Sequence, residues 1–230
     1  MPESQVEVAP AATDLFAAAR AHMVASQLRP NRVTDPRVLA AMGHLPRERF
    51  LPPALAALAY SDEDVSLGDG RVLMEPMVLA RLVQLARPLP GERVLVVGAG
   101  VGYGAAVIAA CGAVVTALEE EARLIALARA ALAEAAPGVA IAEGPLAAGF
   151  PAGAPWDVVF IEGAVAEVPA VLAEQTRRGG GRVVAVRAGV EGVGVAVLAE
   201  MTAAGMVARA AFDCATPTLP AFRPAAGFVF

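Results

Sequence analysis

From residue 93 onwards, short apolar runs alternate with longer segments in which apolar residues recur at helical spacing. The runs predict buried strands and the longer segments predict helices. The predicted strands are 93–97, 114–118, 139–142, 157–161 and 182–187, and the predicted helices are 103–111, 120–135 and 167–176. Alternation at this spacing predicts a parallel, doubly wound sheet with helices on both faces.

Two further apolar stretches, 193–200 and 206–213, are joined by a short turn. The turn is too short to hold a crossover helix, so the two stretches are predicted to pair antiparallel at the edge of the sheet. The predicted fold class is therefore α/β, with a Rossmann-like, mostly parallel sheet of about seven strands and an antiparallel C-terminal edge pair.

The N-terminal third is predicted to be a helical cap preceded by a loose tail. Proline breaks separate its helical patterns, and a polar, glycine-bearing segment follows them. The tail covers 1–12, the helical patterns cover 14–30 and 36–42, the polar segment covers 61–71, and another helix covers 75–87. The polar segment is predicted to be a loop long enough to carry function.

The composition is that of a well-packed protein, with 57% hydrophobic and 18% charged residues among 230 and a mean hydropathy of +0.59. Residues 94–118 carry no charged side chain and are numerous enough to span a bilayer. Their glycines and β-branched ends favour strand, helix and strand instead, so no membrane association is expected. Residues 1–13 contain acids and a proline instead of a secretory signal pattern, so we expect a cytoplasmic protein.

Charge and side-chain chemistry exclude several classes of function. The net charge is −5 without a basic run, so nucleic acid is not an expected partner. All 18 basic residues are arginine, which excludes a Schiff-base lysine and a P-loop. His22 and His44 are predicted to be surface or capping residues. Cys111 and Cys214 are too few for a disulfide framework or a zinc site, no metal is expected, and both cysteines are predicted to lie in the core.

A cluster of glycines follows the first predicted strand of the sheet. Gly98, Gly100 and Gly102 separate this strand from a helical pattern, which is where α/β proteins hold nucleotide-like ligands. Tyr103 stands where the dinucleotide pattern has its third glycine, which argues against NAD and favours S-adenosylmethionine (AdoMet), a ligand without phosphate. Ala99 and Tyr103 are predicted to contact the cofactor together with the three glycines. The alternative is a glycine-rich turn that binds no ligand.

Two acids are predicted to face the same crevice. Glu119 closes the second strand, 21 residues after Gly98, where an acid binds ribose hydroxyls. Its alternative is a solvated acid at the start of the next helix, together with Glu120. Glu162 ends the fourth strand at the carboxyl edge of the sheet, and it too could instead be a surface acid.

Motifs along residues 23–186 resemble the protein-L-isoaspartate O-methyltransferase family, and the N-terminal ones are the most specific. They are Met23-Val24, Gln27-Leu28, 33–42, 45–50, Pro52, 59–62, Pro76, 98–103, 149–151, 154–157 and 179–182. The resemblance implies methylation of the displaced α-carboxylate of L-isoaspartyl residues by AdoMet, which is a protein-repair reaction. Such a carboxylate is already ionised at pH 7, so no catalytic base is required.

The resemblance also implies an organisation and a partner. Residues 1–88 would form the tail, the helical cap and the acceptor loop, and residues 89–230 would form the AdoMet-binding Rossmann-like domain. The acceptor would be an isoaspartyl residue of a damaged protein or peptide, or a small carboxylate. The sequence does not indicate an oligomeric state.

This chain departs from the family pattern in two loops. Met74 replaces a serine whose hydroxyl lies close to the reacting carboxylate, and its alternative role is to pack against the cap helices. Glu75 adds a negative charge near this site unless it points away or an arginine such as Arg71 compensates. Pro145, followed by Leu146, replaces an aspartate that contacts the adenine amino group. These departures keep open an AdoMet-dependent methyltransferase with another acceptor, or a catalytically silent AdoMet-binding module.

Overall fold

The computed structural model describes residues 12–189 and 192–223, so most of the predicted tail lies outside the described residues. Its helices are α1 (Ala12–His22), α2 (Pro36–His44), α3 (Pro76–Ala86), α4 (Tyr103–Ala110), α5 (Ala122–Ala135) and α6 (Ala170–Glu174). Its strands are β1 (Val65–Gly68), β2 (Arg71–Leu73), β3 (Arg93–Val97), β4 (Val114–Glu119), β5 (Ala140–Glu143), β6 (Val158–Val165), β7 (Arg182–Arg187), β8 (Gly194–Thr202) and β9 (Gly205–Cys214). A π-helical turn, Met23–Leu28, continues α1.

The main sheet has seven strands in the order β5-β4-β3-β6-β7-β8-β9. The first five strands in this order are parallel, and β8 and β9 pair antiparallel at the edge. The predicted fold class is confirmed. The chain leaves β3 towards β4 on one side and returns to β6 on the other, so the carboxyl ends of these strands form the switch point at which α/β proteins bind ligands.

Two predicted elements have different bounds in the structure. The fourth strand of the prediction, 157–161, continues as β6 to Val165 because Ala164 and Val165 pair with β7 after an irregularity in register. The predicted helix 167–176 is confined to α6, since Pro169 precedes its first turn and Gln175 ends it.

The prediction of a loop over 61–71 is wrong for Val65–Gly68 and Arg71, which lie in strands. Strands β1 and β2 form a separate two-stranded antiparallel sheet in which Val65 pairs with Leu73. Gly68, Asp69 and Gly70 connect them with φ values of 90°, 52° and 75°. Asp-Gly is a strong hairpin signal, but the many polar residues around it conceal the short alternation of buried and exposed positions.

The uncharged run 94–118 is β3, α4 and β4, as predicted. Helix α4 is buried on almost every side, which explains its lack of polar residues. Within the described part of the chain, no helix combines the length and the hydrophobicity needed to cross a membrane. Cys111 and Cys214 are buried free thiols, and His22 and His44 are exposed, as predicted.

Candidate functional site

The glycine turn joins β3 to α4 at the centre of the sheet. Gly98, Gly100 and Gly102 have φ values of 75°, 57° and 90°, a left-handed conformation that favours glycine at all three positions. The backbone N–H groups of Gly98 and Ala99 donate to the carbonyl of Leu118 at 3.0 and 3.1 Å. These bonds fix the turn against the end of β4.

Glu119 is the last residue of β4 and lies beside this turn. Its Oε2 accepts the N–H of Gly100 at 2.8 Å, and its Oε1 accepts the N–H groups of Glu120 and Glu121 at 2.9 and 3.1 Å. The side chain is only 1% exposed. The structure therefore brings the predicted acid to the glycine turn, and the alternative of a solvated acid at a helix start is wrong.

Arg71, from β2, is the counterion of Glu119. Its two terminal nitrogens donate to Oε1 and Oε2 of Glu119 at 2.8 and 2.7 Å, and one of them also donates to the carbonyl of Gly98 at 3.0 Å. Burial raises the pKa of Glu119, but the hydrogen bonds and charge of Arg71 outweigh burial and bring this pKa below its usual value. Arg71, named above as one arginine that could compensate Glu75, neutralises Glu119.

Leu219 covers the other side of the glycine turn. A Cβ atom built on Gly98 would lie 3.0 and 3.2 Å from the two methyl carbons of Leu219, which also pack against Gly163. The N–H of Leu219 donates to the carbonyl of Ala164 at 3.0 Å, which fixes this segment along the end of β6. Leu219 is 3% exposed.

These contacts test whether an adenosine-type ligand fits between the glycine turn and Glu119, a space that we call the crevice. The residue types fit, because a turn built from glycine permits close approach and Glu119 can accept hydrogen bonds from ribose. The conformation does not fit, because Arg71 occupies the carboxylate and Leu219 covers Gly98. The crevice is closed in this structure.

Glu162 lies within β6, three residues before its last residue, Val165, and not at the end of the strand as the sequence predicted. Its Oε2 atom is enclosed beside Gly104 and finds no hydrogen-bond partner among the described residues. Burial raises the pKa of this carboxyl to about 8, although the positive charges of Arg47 and Arg71 act against the shift. Glu162 is partly buried and its pKa is raised, so it differs from the solvated surface acid of the alternative.

Tyr103 is fully buried against the N-terminal cap. Its ring meets Phe50 edge-on at 5.2 Å between centroids, and the guanidinium of Arg47 lies 4.8 Å from its centroid. In the part of the chain that the structure describes, neither the Tyr103 hydroxyl nor Nη1 of Arg47 has a hydrogen-bond partner. Tyr103 thus contacts the cap with its ring, although its backbone begins the helix after the glycine turn.

The predicted adenine-side residues lie on the loop after β5. The backbone N–H of Leu146 donates to Oε2 of Glu120 at 3.0 Å, and Gly144 donates to the carbonyl of Glu119 at 3.1 Å. Leu146 is buried and Pro145 is exposed. The structure therefore brings Pro145, Leu146 and Glu120 to the same edge of the sheet as Glu119.

Met74 and Glu75 occupy different environments. The Met74 side chain is 1% exposed in the core, and its carbonyl accepts a hydrogen bond from the buried Arg47. Glu75 is partly exposed, and its backbone N–H donates to Asp64 at 2.7 Å. Burial, together with the charges of Asp64 and Asp62, raises the pKa of Glu75 to about 7.

An open cavity of about 390 Å³ lies beside Glu75. Three carboxylates line it, and the C-terminal segment closes one side. The lining residues are Glu63, Asp64, Glu75, Gly192, Ala215, Thr216 and Pro217. We call this cavity the acidic mouth; its charge opposes an anionic ligand and favours cationic groups.

Sequence reasoning missed Leu219 and the role of Arg71. A buried acid at a strand end requires a cation or several donors, so Glu119 was itself a signal that one of the arginines would lie beside it. Arg71 is 48 positions away in sequence, and only the hairpin brings the two residues together. Leu219 carries no chemical signal that a sequence pattern could detect.

Comparison with known proteins gives a consistent result. Residues 19–208 match the family model "Protein-L-isoaspartate(D-aspartate) O-methyltransferase (PCMT)". A protein-L-isoaspartate O-methyltransferase of Methylorubrum populi is 41% identical over 169 residues, which are 74% of this chain and 80% of that protein. One from a Synechococcus strain is 37% identical over 209 residues, which are 88% and 86% of the two chains.

Solved structures agree on the fold. A protein-L-isoaspartate O-methyltransferase superposes with a TM-score of 0.73 at 25% identity, covering 87% of this chain and 65% of that one. A putative enzyme of the same name from Plasmodium falciparum, in complex with S-adenosyl-L-homocysteine, also gives 0.73, at 17% identity over 88% of this chain and 98% of that one.

Proposed function

This chain belongs to the protein-L-isoaspartate(D-aspartate) O-methyltransferase family, and on that premise we propose that it methylates the free α-carboxylate of isoaspartyl residues in damaged proteins. It is an AdoMet-dependent methyltransferase. The observation that carries the proposal is the meeting of the glycine turn with Glu119 at the switch point of the sheet, where the two predicted halves of a nucleoside site converge.

The residues of the crevice have distinct tasks in this reaction. The Gly98–Gly102 turn would permit close approach of the ligand, and Glu119 would hold it by accepting hydrogen bonds from its ribose. AdoMet supplies an electrophilic methyl group on a sulfonium. The exclusion of water and the alignment of the two reactants can lower the barrier by roughly 7–11 kcal/mol.

The acceptor needs no base from this chain. An isoaspartyl carboxylate is ionised at neutral pH and can attack the methyl group directly, so the absence of lysine and the exposure of both histidines do not oppose the reaction. The acidic mouth disfavours a free dicarboxylate. A protein segment that buries its carboxylate while presenting basic neighbours to Glu63, Asp64 and Glu75 suits this surface better.

The test is methyl transfer to a synthetic isoaspartyl peptide, with the ordinary aspartyl isomer of the same sequence as control. We expect a methyl ester on the isoaspartyl peptide alone, detected by mass spectrometry, with S-adenosyl-L-homocysteine formed in equal amount. Transfer to both isomers would indicate another acceptor. No transfer to either, in a protein that binds AdoMet, would indicate a silent module.

A further inference from the structure

Glu119 has no free hydrogen-bonding capacity in this structure. Its two oxygens accept three backbone N–H groups and two donors from Arg71. An ionised carboxylate offers about four lone-pair sites, so these five donors leave none for a ribose hydroxyl. Arg71 is the only one of these partners that a side-chain movement could remove, because the others are backbone N–H groups of the glycine turn and of the two residues that follow β4.

We propose that Arg71 and Leu219 form an internal latch that holds the crevice closed and sets the affinity for the cofactor. Arg71 competes with the ribose for Glu119, and Leu219 fills the space over Gly98 and Gly163. The cofactor binds only molecules in which both side chains have withdrawn. The observed association constant is therefore the intrinsic constant multiplied by the fraction of such molecules. The identity of the ligand as AdoMet rests on the proposed function.

The latch lies on elements that can move without breaking the main sheet. Arg71 belongs to the β1–β2 hairpin, which forms its own two-stranded sheet. Leu219 belongs to the segment after β9, whose backbone is hydrogen-bonded to β6 through Ala164. The two elements are also connected, since the hydroxyl of Thr216 donates to Oδ2 of Asp64 at 3.3 Å.

The charges around Arg71 stabilise the closed crevice, but they also allow Arg71 to leave Glu119. Among the described residues, Glu119 is the one carboxylate within salt-bridge distance of Arg71, so withdrawal removes that ion pair. Glu119 would keep its three backbone donors, which stabilise an ionised carboxylate after Arg71 has left. A ribose that donates two hydrogen bonds could then replace the guanidinium.

The experiment measures binding of S-adenosyl-L-homocysteine by calorimetry to the wild type, Arg71→Gln and Arg182→Gln. Arg182 is a matched control, because it forms the same bidentate pair with Glu92, at 2.6 and 3.0 Å, and donates to the carbonyl of Ala86, at the opposite edge of the sheet. We expect Arg71→Gln to bind at least tenfold more tightly than the wild type and Arg182→Gln to bind as the wild type does.

Leu219→Ala tests the other half of the latch without disturbing a buried charge. It should also bind more tightly, and its thermal unfolding temperature should rise more on addition of S-adenosyl-L-homocysteine than that of the wild type. This variant decides the matter if Arg71→Gln does not fold.

Equal or weaker binding by both Arg71→Gln and Leu219→Ala, including no binding at all, would overturn the latch. Failure of the proposed function looks different. In that case the latch variants bind S-adenosyl-L-homocysteine more tightly than the wild type, but neither the wild type nor any variant transfers a methyl group to the isoaspartyl peptide. Conversely, a wild type that methylates the peptide while latch substitutions leave affinity unchanged keeps the function and removes the latch.

Discussion

Glu119 and Glu143 are partners in register on the neighbouring parallel strands β4 and β5, yet one is buried and the other exposed. Glu119 pairs with Arg71 inside the protein, whereas Glu143 pairs with Arg129 at the surface, where its side chain is 54% exposed. Two glutamates at the same level of the sheet therefore contribute differently to the free energy of unfolding. A buried pair is costly to break, and a surface pair contributes little.

This contrast predicts the stability of two matched variants. Glu119→Gln leaves the Arg71 guanidinium buried without a counterion and should lower the free energy of unfolding by about 3–5 kcal/mol. Glu143→Gln should change it by no more than about 0.5 kcal/mol. Urea denaturation followed by circular dichroism measures both. Equal losses in the two variants would show that Arg71 and Glu119 do not form a buried pair in solution.

Met74 should tolerate an apolar replacement and not a polar one. Its side chain is 1% exposed in the core, so Met74→Ser removes packed volume and buries a hydroxyl, at a cost of about 2–5 kcal/mol. Met74→Leu conserves volume and should cost less than about 1.5 kcal/mol. Restoring a serine is therefore expected to lower stability before it can improve activity. A Met74→Ser protein as stable as the wild type would contradict this placement.

The order of elements was predictable from the sequence because buried parallel strands and their crossover helices leave long, regular signals. Strands β3, β4 and β7 lie at or within one residue of their predicted positions. The β1–β2 hairpin was missed because its strands are short and only alternate positions, such as Val65 and Leu67, are buried. Local periodicity is weak over so few residues.

The candidate site was predictable in part, for a related reason. The strand-helix-strand unit fixes the spacing between the glycine turn and Glu119, so their proximity can be predicted from the sequence. The pairing of Arg71 with Glu119 depends on how the cap folds over the sheet, and no short-range pattern reports that. Met74 was singled out for its chemistry, and the structure shows that its side chain lies in the core.

Tyr103 should depend on its ring and not on its hydroxyl. The ring packs on Phe50 and Arg47, while the buried hydroxyl finds no hydrogen-bond partner within 12–189 and 192–223. Tyr103→Phe should therefore be neutral or slightly stabilising, because an unsatisfied polar group is removed. Tyr103→Ala should lose about 3–5 kcal/mol. Thermal and urea unfolding of the two variants test this, and a loss in Tyr103→Phe above about 1 kcal/mol would indicate a hydrogen bond.

Glu75 should make stability depend on pH in a defined window. Burial, then Asp64 and Asp62, raise the pKa of Glu75 from 4.5 to about 7. The folded state thus binds more protons than the unfolded state between these values, and the stabilisation present below pH 4.5 is lost as pH rises through 7. Discounted for partial exposure, the loss is about 1–3 kcal/mol.

The variant Glu75→Gln should remove this loss. Relative to the wild type, it should gain stability between pH 5 and pH 8, as measured by urea denaturation across the range. The exposed Glu167, replaced in the same way, is the control and should show no such gain. Parallel pH profiles for the wild type and Glu75→Gln would show that the Glu75 carboxyl titrates as an ordinary surface group.

The acidic mouth predicts which isoaspartyl peptides are preferred. Glu63, Asp64 and Glu75 line it, so lysine or arginine next to the isoaspartyl residue should be favoured and aspartate or glutamate disfavoured. Partly exposed charge pairs contribute about 0.2–1 kcal/mol each, so two or three of them give roughly a three- to tenfold difference in kcat/KM between basic and acidic flanks. The preference should shrink as salt is added, because screening weakens attraction between exposed charges. Replacing Glu63 by Gln should reduce the difference in kcat/KM between basic and acidic peptides. It should leave kcat/KM unchanged for an isoaspartyl peptide with neutral flanks. Equal rates for basic and acidic peptides at low salt would mean that the acceptor does not pass this surface, and that the carboxylate reaches the methyl group by another route.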